Sequence, residues 1–387
     1  MKQFIQKLAW YPPAETKIPL RTILSALASS NGDFHQILCN YLGVEKCILG
    51  NSGRALLALL LKALWKRNGK ARKEVLIPGY TCYSVAASVV RAGLKINIYD
   101  LDPGSFNPDI DDLKKKIGPQ TLAVICQHLF GIPSDIKGLM QITKEKGSYV
   151  IEDAAQALGA SMDGDSLGTI GDFGFFSFGR GKSLPMGAGG ALIGKGYDVL
   201  KGLTVGQSGK GYIELLETAV TQIISKPLFY RIPEVLPLGL GETIFDPGFD
   251  ISPMPDTIQR LGQEALVTLK GLIQHRRHIG GIYQEVFHDL NYISAHKDSV
   301  PVYTRFPLSA SAVPIPKDLI RLRVRRMYPN AIAEEQTIKP YLADSQAMTP
   351  GASEIACNLI TLPTHMGISE TLAEEIAGKV KKHFGMA

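Results

Sequence analysis

The chain of 387 residues has few cysteines, and none of them pair in a Cys-x-x-Cys motif. The five, Cys39, Cys47, Cys82, Cys126 and Cys357, are scattered and odd in number. That pattern fits reduced thiols and speaks against both a disulfide framework and zinc, so no metal is expected. A long apolar run is also missing. The longest apolar helical stretch, Ala55 to Leu64, is interrupted by Lys62 and is too short to span a bilayer. The opening residues, Met1-Lys2-Gln3-Phe4-Ile5-Gln6-Lys7, lack the apolar core of a signal peptide. A soluble, cytoplasmic protein is therefore expected. Nor is there a strong charge of either sign: 42 basic against 36 acidic residues leave +6. This mild excess gives no reason to expect nucleic acid, though it suits an anionic small-molecule substrate.

What is present fits an α/β protein. Hydrophobic residues make up 45%, with 39 Gly and 23 Pro for many turns, and the length points to two domains. From residue 47 the chain alternates apolar strand-like runs with amphipathic helices, the pattern of a parallel sheet: Cys47–Leu49, Ala55–Trp65, Glu74–Gly79, a helix to Ala92, Lys95–Tyr99, Asp109–Ile117, Leu122–Cys126 and Ile136–Lys146. Thr257 to Phe287 is spaced as one long helix through Leu261, Ala265, Leu269, Leu272 and Ile279. Lys317 to Met327 is expected to be a basic helix whose Arg321, Arg323, Arg325 and Arg326 face solvent, with phosphate binding as their alternative role.

The chemistry concentrates between residues 148 and 193. The run Ser148 to Ile151 ends on two carboxylates, Glu152 and Asp153, where a parallel strand opens into a crevice. A second run, Phe173 to Phe178, leads into a Gly-rich turn carrying Lys182, and a third, Gly190 to Ile193, returns to the sheet. Gly179-Arg180-Gly181-Lys182-Ser183 imitates the end of a P-loop, but Phe stands at 176 where that motif needs Gly. A lysine held in a partly desolvated loop can instead form a Schiff base. Pyridoxal phosphate needs such a lysine, an acid against its ring nitrogen, and hydroxyl and N–H donors for its phosphate. Lys182, Asp153 and Ser177 are the candidates. Asp153 could otherwise cap the residues that follow it. A further phosphate seat is Gly50-Asn51-Ser52-Gly53-Arg54 at the start of a helix, where unpaired N–H groups and the helix dipole favour an anion.

Glu152-Asp153-Ala154-Ala155-Gln156, Phe176-Ser177-Phe178, Lys182 and Gly187-Ala188-Gly189-Gly190 together resemble the DegT/StrS family of sugar aminotransferases, fold type I pyridoxal phosphate enzymes. The resemblance implies that Asp153 binds the pyridine nitrogen, Gln156 lies near the ring, Ser177 binds phosphate and Lys182 bonds the cofactor covalently and acts in catalysis. Ser52 and Gly53 match the family's phosphate turn, with Arg54 in place of a Thr. The family's stacking aromatic falls on Cys82 here, so either Tyr83, one residue later, stacks instead or the stacking is lost. His128 in His128-Leu129-Phe130-Gly131 and Leu362-Pro363-Thr364-His365 near the C-terminus also match. The implied architecture is a large cofactor-binding domain, 1–250, with an N-terminal arm, followed by a linking helix and a small domain, 251–387. The implied activity moves an amino group from an amino acid, with glutamate the expected donor, to a nucleotide-linked keto sugar in a homodimer. A dehydratase and a catalytically silent regulatory relative are the alternatives; dehydrating relatives often replace the lysine with His.

The chain departs from that family at two further places. Ala188 stands where an acid is usual, and no Asn occurs from 196 to 260, where relatives offer one to the neighbouring subunit's phosphate. A Pro-containing apolar segment, Ile213 to Leu240, fills that stretch and is expected to form an interface or cover the substrate.

Overall fold

The computed structural model describes residues 11–12, 18–28, 33–203, 206, 209–224, 243–290, 293 and 298–386. Most of the expected N-terminal arm, and residues 225–240 of the apolar segment, lie outside the described residues. Two helices, α1 (Leu20–Ala28) and α2 (Phe34–Leu42), precede the sheet. There follow β1 (Ile48–Gly50), α3 (Gly53–Arg67), β2 (Glu74–Pro78), α4 (Tyr83–Arg91), β3 (Lys95–Tyr99), α5 (Ile110–Lys116), β4 (Thr121–Gln127), α6 (Ile136–Lys146) and β5 (Tyr149–Asp153). After the short strands β6 (Ser161–Met162) and β7 (Asp165–Ser166) come β8 (Phe173–Ser177), β9 (Gly190–Gly194), α7 (Tyr197–Lys201) and α8 (Tyr212–Ile224). The C-terminal part holds α9 (Asp256–Leu266), α10 (Leu269–Val286), β10 (Ser299–Val300), β11 (Arg305–Ser309), α11 (Lys317–Arg321), α12 (Pro350–Asn358), β12 (Leu359–Pro363) and α13 (Glu370–Phe384).

Among the described residues, seven strands form the main sheet in the order β1-β9-β8-β5-β4-β2-β3. The pairs β3–β2, β2–β4, β4–β5 and β5–β8 are parallel, whereas β9 runs antiparallel to both β8 and β1. The expected α/β class with a mostly parallel sheet is what the chain builds. The reason is visible in β4, whose seven residues, Thr-Leu-Ala-Val-Ile-Cys-Gln, are all buried, as a strand covered on both faces by helices must be. Helix α3 buries Leu56, Leu57, Leu60, Leu61 and Leu64, each contributing about 1.5–3 kcal/mol. A second, two-stranded antiparallel sheet, β11–β12, carries the C-terminal part.

Two expectations are corrected here. The stretch from 257 to 287 is two helices, α9 and α10, interrupted at Val267–Thr268. Thr268 gives both its N–H and its hydroxyl to the Ala265 carbonyl, at 2.9 and 2.7 Å, so the bond pattern tightens and the helix is not continued. The basic helix stops at Arg321, because Arg323 takes a left-handed conformation, φ +68°, and Arg325 bridges to Thr361. Its arginines do not make a solvated face. Arg323 is buried and its Nε donates to the Tyr11 carbonyl, while Arg326 donates to the Cys357, Ser311 and Val313 carbonyls.

The Gly187-Ala188-Gly189-Gly190 motif has a steric cause. Gly187 and Gly189 adopt φ of +89° and +100°, which only glycine takes up without strain. Gly190 sits against the start of α3, and a Cβ there would lie 2.5 Å from the Gly53 nitrogen. Gly190→Ala should therefore force β9 and the α3 N-terminus apart. We expect a loss of about 1–3 kcal/mol in urea unfolding.

Candidate active site

A cavity of about 270 Å³ opens where β4, β5 and β8 end, beside the N-terminus of α3. Gln127, Asp153 and Ser177, the last residues of those three strands, all line it. This is the crevice that parallel sheets leave outside the carboxyl ends of their strands. Ser52, Gly53, Arg54, Thr81, Cys82, His128, Gln156, Lys182 and Tyr328 add to its wall, so residues more than 270 positions apart meet there.

Strand geometry sorts the two carboxylates that end β5. Successive side chains point to opposite faces, and only Asp153 lines the cavity. Glu152 turns the other way, is fully buried, and accepts from the amides of Gly168, Ile170 and Gly171 at 2.6–2.7 Å. His128 adds a fourth bond, with Nε2 3.0 Å from Glu152 Oε2. Because the Ser134 amide donates to Nδ1 at 3.1 Å, the imidazole proton belongs on Nε2, and His128 donates to Glu152. Glu152 thus organises the loop behind the site. Asp153 has one fixed partner, the Ala155 amide at 3.1 Å. Burial pushes its carboxyl above the ordinary range, and the Lys182 charge, the Ala155 amide and His128 pull it back.

Lys182 hangs from a loop that the rest of the molecule holds firmly. Arg276 of α10, itself buried, donates to the Lys182 carbonyl and to the Ser183 carbonyl, each at 3.1 Å. Ser183 Oγ donates to the Gln156 carbonyl at 3.1 Å. The Gln156 side chain is fixed in turn: its Oε1 accepts from the Phe130 amide and the Thr304 hydroxyl at 3.1 Å, and its Nε2 lies 3.4 Å from the Tyr328 hydroxyl. Ser52 caps α3 by accepting from the Ala55 amide at 3.3 Å. Ser177 Oγ makes only a long contact, 3.5 Å, from the Gly179 amide. Arg54 lines the cavity with its guanidinium carbon 4.7 Å from the centre of the Phe249 ring.

Tyr83 is not on the cavity wall, contrary to the expectation that it stacks on a ligand. It is the first residue of α4, buried, with its hydroxyl 3.1 Å from the Asn330 amide and 3.2 Å from the Asn330 carbonyl. Burial raises its phenol to about 12. Cys82 lines the cavity in its place. Sequence reasoning missed Tyr328, Gln127 and Arg276. Tyr328 reaches the wall from the C-terminal part and packs 5.3 Å from the Tyr80 ring. Nothing local in the sequence signals it.

The donor set fits pyridoxal phosphate. An acid and a lysine share one cavity, and a capped helix N-terminus with Ser177 beside it offers donors to an anion. Thr81 Oγ1 is buried on the same wall without a hydrogen-bond partner among the described residues, as a group awaiting a ligand would be. Gly53 completes the cradle, since a Cβ there would lie 3.0 Å from the Phe176 carbonyl oxygen.

Residues 22–208 match the DegT/DnrJ/EryC1/StrS aminotransferase family. GDP-perosamine synthase of Vibrio cholerae is 31% identical over 160 residues, which cover 41% of this chain and 43% of that protein. The UDP-N-acetyl-3-dehydro-alpha-D-glucosamine 3-aminotransferase of Acidithiobacillus ferrooxidans is 31% identical over 200 residues, 46% of this chain and 53% of the relative. The chain thus spans about half the length of these curated relatives. In fold it is similar to GDP-4-keto-6-deoxy-D-mannose-3-dehydratase of E. coli, solved with bound hydrated PLP, with a TM-score of 0.76 and 18% identity over 97% of this chain and all, 100%, of that one.

The Arg276 contacts carry a test of their own. Arg276→Met keeps the length of the side chain but removes the donors to two carbonyls of the Lys182 loop. The expected result is a loss of at least about 2 kcal/mol in urea unfolding, together with faster limited proteolysis between Gly179 and Gly187.

Proposed function

We propose, from the membership of residues 22–208 in the DegT/DnrJ/EryC1/StrS aminotransferase family, that this chain is a pyridoxal phosphate-dependent aminotransferase acting on a nucleotide-linked keto sugar. The amino donor in this reading is an amino acid, with glutamate the first to try. The observation that carries it is the shared cavity of Asp153 and Lys182 next to the α3 N-terminus. The relatives' names support the acceptor class, since they act on GDP- and UDP-sugars. A homodimer, a cytoplasmic site of action and a division into 1–250 and 251–387 belong to the same proposal. A dehydratase shares the fold. The retained lysine at 182 favours amino transfer over it.

Pyridoxal phosphate, when bound, supplies an electron sink for negative charge on the carbon that bears the amino group. Asp153 would hold the proton on the ring nitrogen, and the low polarity that raises its own carboxyl strengthens that charge-assisted bond. Lys182 would bond the cofactor and afterwards move a proton at the amino-bearing carbon, with Nζ as general base and then general acid. Arg276 and Ser183 keep that amine in register from behind. Ser52, Gly53, Arg54 and Ser177 would hold the phosphate, and Gln156, locked by Phe130, Thr304 and Tyr328, would set one wall against the ring.

Adding glutamate to the cofactor-loaded protein should bleach its visible absorbance, and a keto sugar nucleotide should restore it. Lys182→Ala should abolish both changes, and borohydride reduction of the wild type should label Lys182 alone. Labelling of another lysine would overturn the assignment. A separate measurement addresses Arg54. It stands at a helix N-terminus, where the dipole disfavours a cation unless an anion is bound. Losing a charged hydrogen bond is worth about 1.5–3 kcal/mol, so Arg54→Thr should weaken cofactor affinity by about one to two orders of magnitude. Unchanged affinity would leave the phosphate to Ser52, Gly53 and Ser177.

A further inference from the structure

Away from the cavity, the fold gathers three of the chain's soft donors that the sequence keeps apart. His35 and Cys39 lie four residues apart on α2, so their side chains share one face of the helix. Gly43 closes α2 in the left-handed conformation, φ +68°, and the Val44 amide returns to the Cys39 carbonyl at 3.0 Å. That turn brings Cys47, one residue before β1, back onto the same face, where its thiol donates to the His35 carbonyl at 3.9 Å. The ligand atoms of His35, Cys39 and Cys47 all lie within 4.8 Å of one another. Both thiols are buried, and His35 is partly exposed.

We propose that His35, Cys39 and Cys47 form a zinc site that staples α2 to the entrance of β1. Tetrahedral zinc, with Zn–S of about 2.3 Å and Zn–N of about 2.0 Å, sets its ligand atoms about 3.5–4 Å apart. Bringing the three donors to that spacing needs movements of no more than about an ångström. Binding releases the two thiol protons to solvent, and two thiolates with one dication give a neutral assembly that a buried position tolerates. The half-exposed side of His35 provides the entry path. Asp33 is already engaged in capping α2 through the Gln36 amide, so the fourth position falls to water. The site is structural in character: β1 leads within two residues to Ser52, and a fixed β1 fixes the start of α3.

The test uses the protein as purified, stripped with a chelator and kept reduced. Titration with Co²⁺ should produce a near-ultraviolet thiolate-to-cobalt band that saturates at about one equivalent and disappears when Zn²⁺ is added. Zn²⁺ should slow alkylation of Cys39 and Cys47 at least tenfold by peptide mapping, while exposed Cys357 reacts at an unchanged rate. Serine at a buried cysteine position could impair folding, so the deciding variant is His35→Gln on the half-exposed ligand, which should weaken Co²⁺ binding at least tenfold. The proposal fails if no such band forms, if His35→Gln keeps it at full affinity, or if Cys39 and Cys47 are found joined as a disulfide in the protein as isolated.

Discussion

Everything at the cavity depends on how closely the turn into α3 can approach strands β8 and β9. Side chains at Gly53 and Gly190 would separate the helix from the sheet, because a Cβ at 190 would overlap the Gly53 nitrogen and one at 53 would press on the Phe176 carbonyl. Without that contact the N-terminus of α3 would sit too far from Ser177 for the two to share a ligand. The antiparallel insertion of β9 between β8 and β1 makes the contact possible. It carries Gly189 to the Asn51 carbonyl, its amide donating at 2.9 Å, and so ties the anion seat to the strand that follows the lysine loop. The segment after residue 243 closes the same turn from outside, with the Asn51 amide donating to the Ser252 carbonyl at 2.9 Å and Phe249 lying under Arg54.

Much of this was legible in the sequence because it is local. Strands with continuous apolar runs and helices with capping residues announced themselves, and Ile136–Lys146 is helical over the residues its spacing predicts. The carboxylate at 153, the serine at 177 and the lysine at 182 were legible for a related reason: the first two end strands that the pattern already placed, and the third follows one of them. What stayed hidden was long-range. Tyr328 joins the wall through a turn that the Arg-rich sequence disguised as helix, and nothing local in the sequence marks Arg276 as buried. Its burial follows from the carbonyls of Lys182 and Ser183, which no spacing rule brings to mind. Tyr83 shows the opposite failure. One residue of displacement from the expected position turned the ring into the interface with Asn330 and Tyr328, since neighbouring residues at a helix start face different directions.

The cysteines teach a related point. Their dispersal in sequence argues against a metal, yet a helix turn followed by a left-handed glycine brings two of them and a histidine together. Spacing motifs detect sites built on one turn or hairpin; they do not detect sites closed by a change of direction between a helix and a strand.

The polar side chains near the cavity divide into two groups, and the division itself argues for the proposed chemistry. Glu152, Arg276, Gln127 and His128 are buried and engaged by partners that are mostly main-chain groups, so they hold shape. Among the described residues, the side chains of Asp153 and Ser177 each have a single hydrogen-bond partner, an amide from two residues along, and the Thr81 hydroxyl has none. A folded protein does not leave the Thr81 hydroxyl so without cost, since a buried hydroxyl lacking a partner is destabilising by about 1–3 kcal/mol. The cost is offset when a ligand with matching acceptors and a ring cation enters. Preorganisation then follows from the saturated group behind: the ligand meets donors that are already in place, and little of its binding energy goes into ordering them.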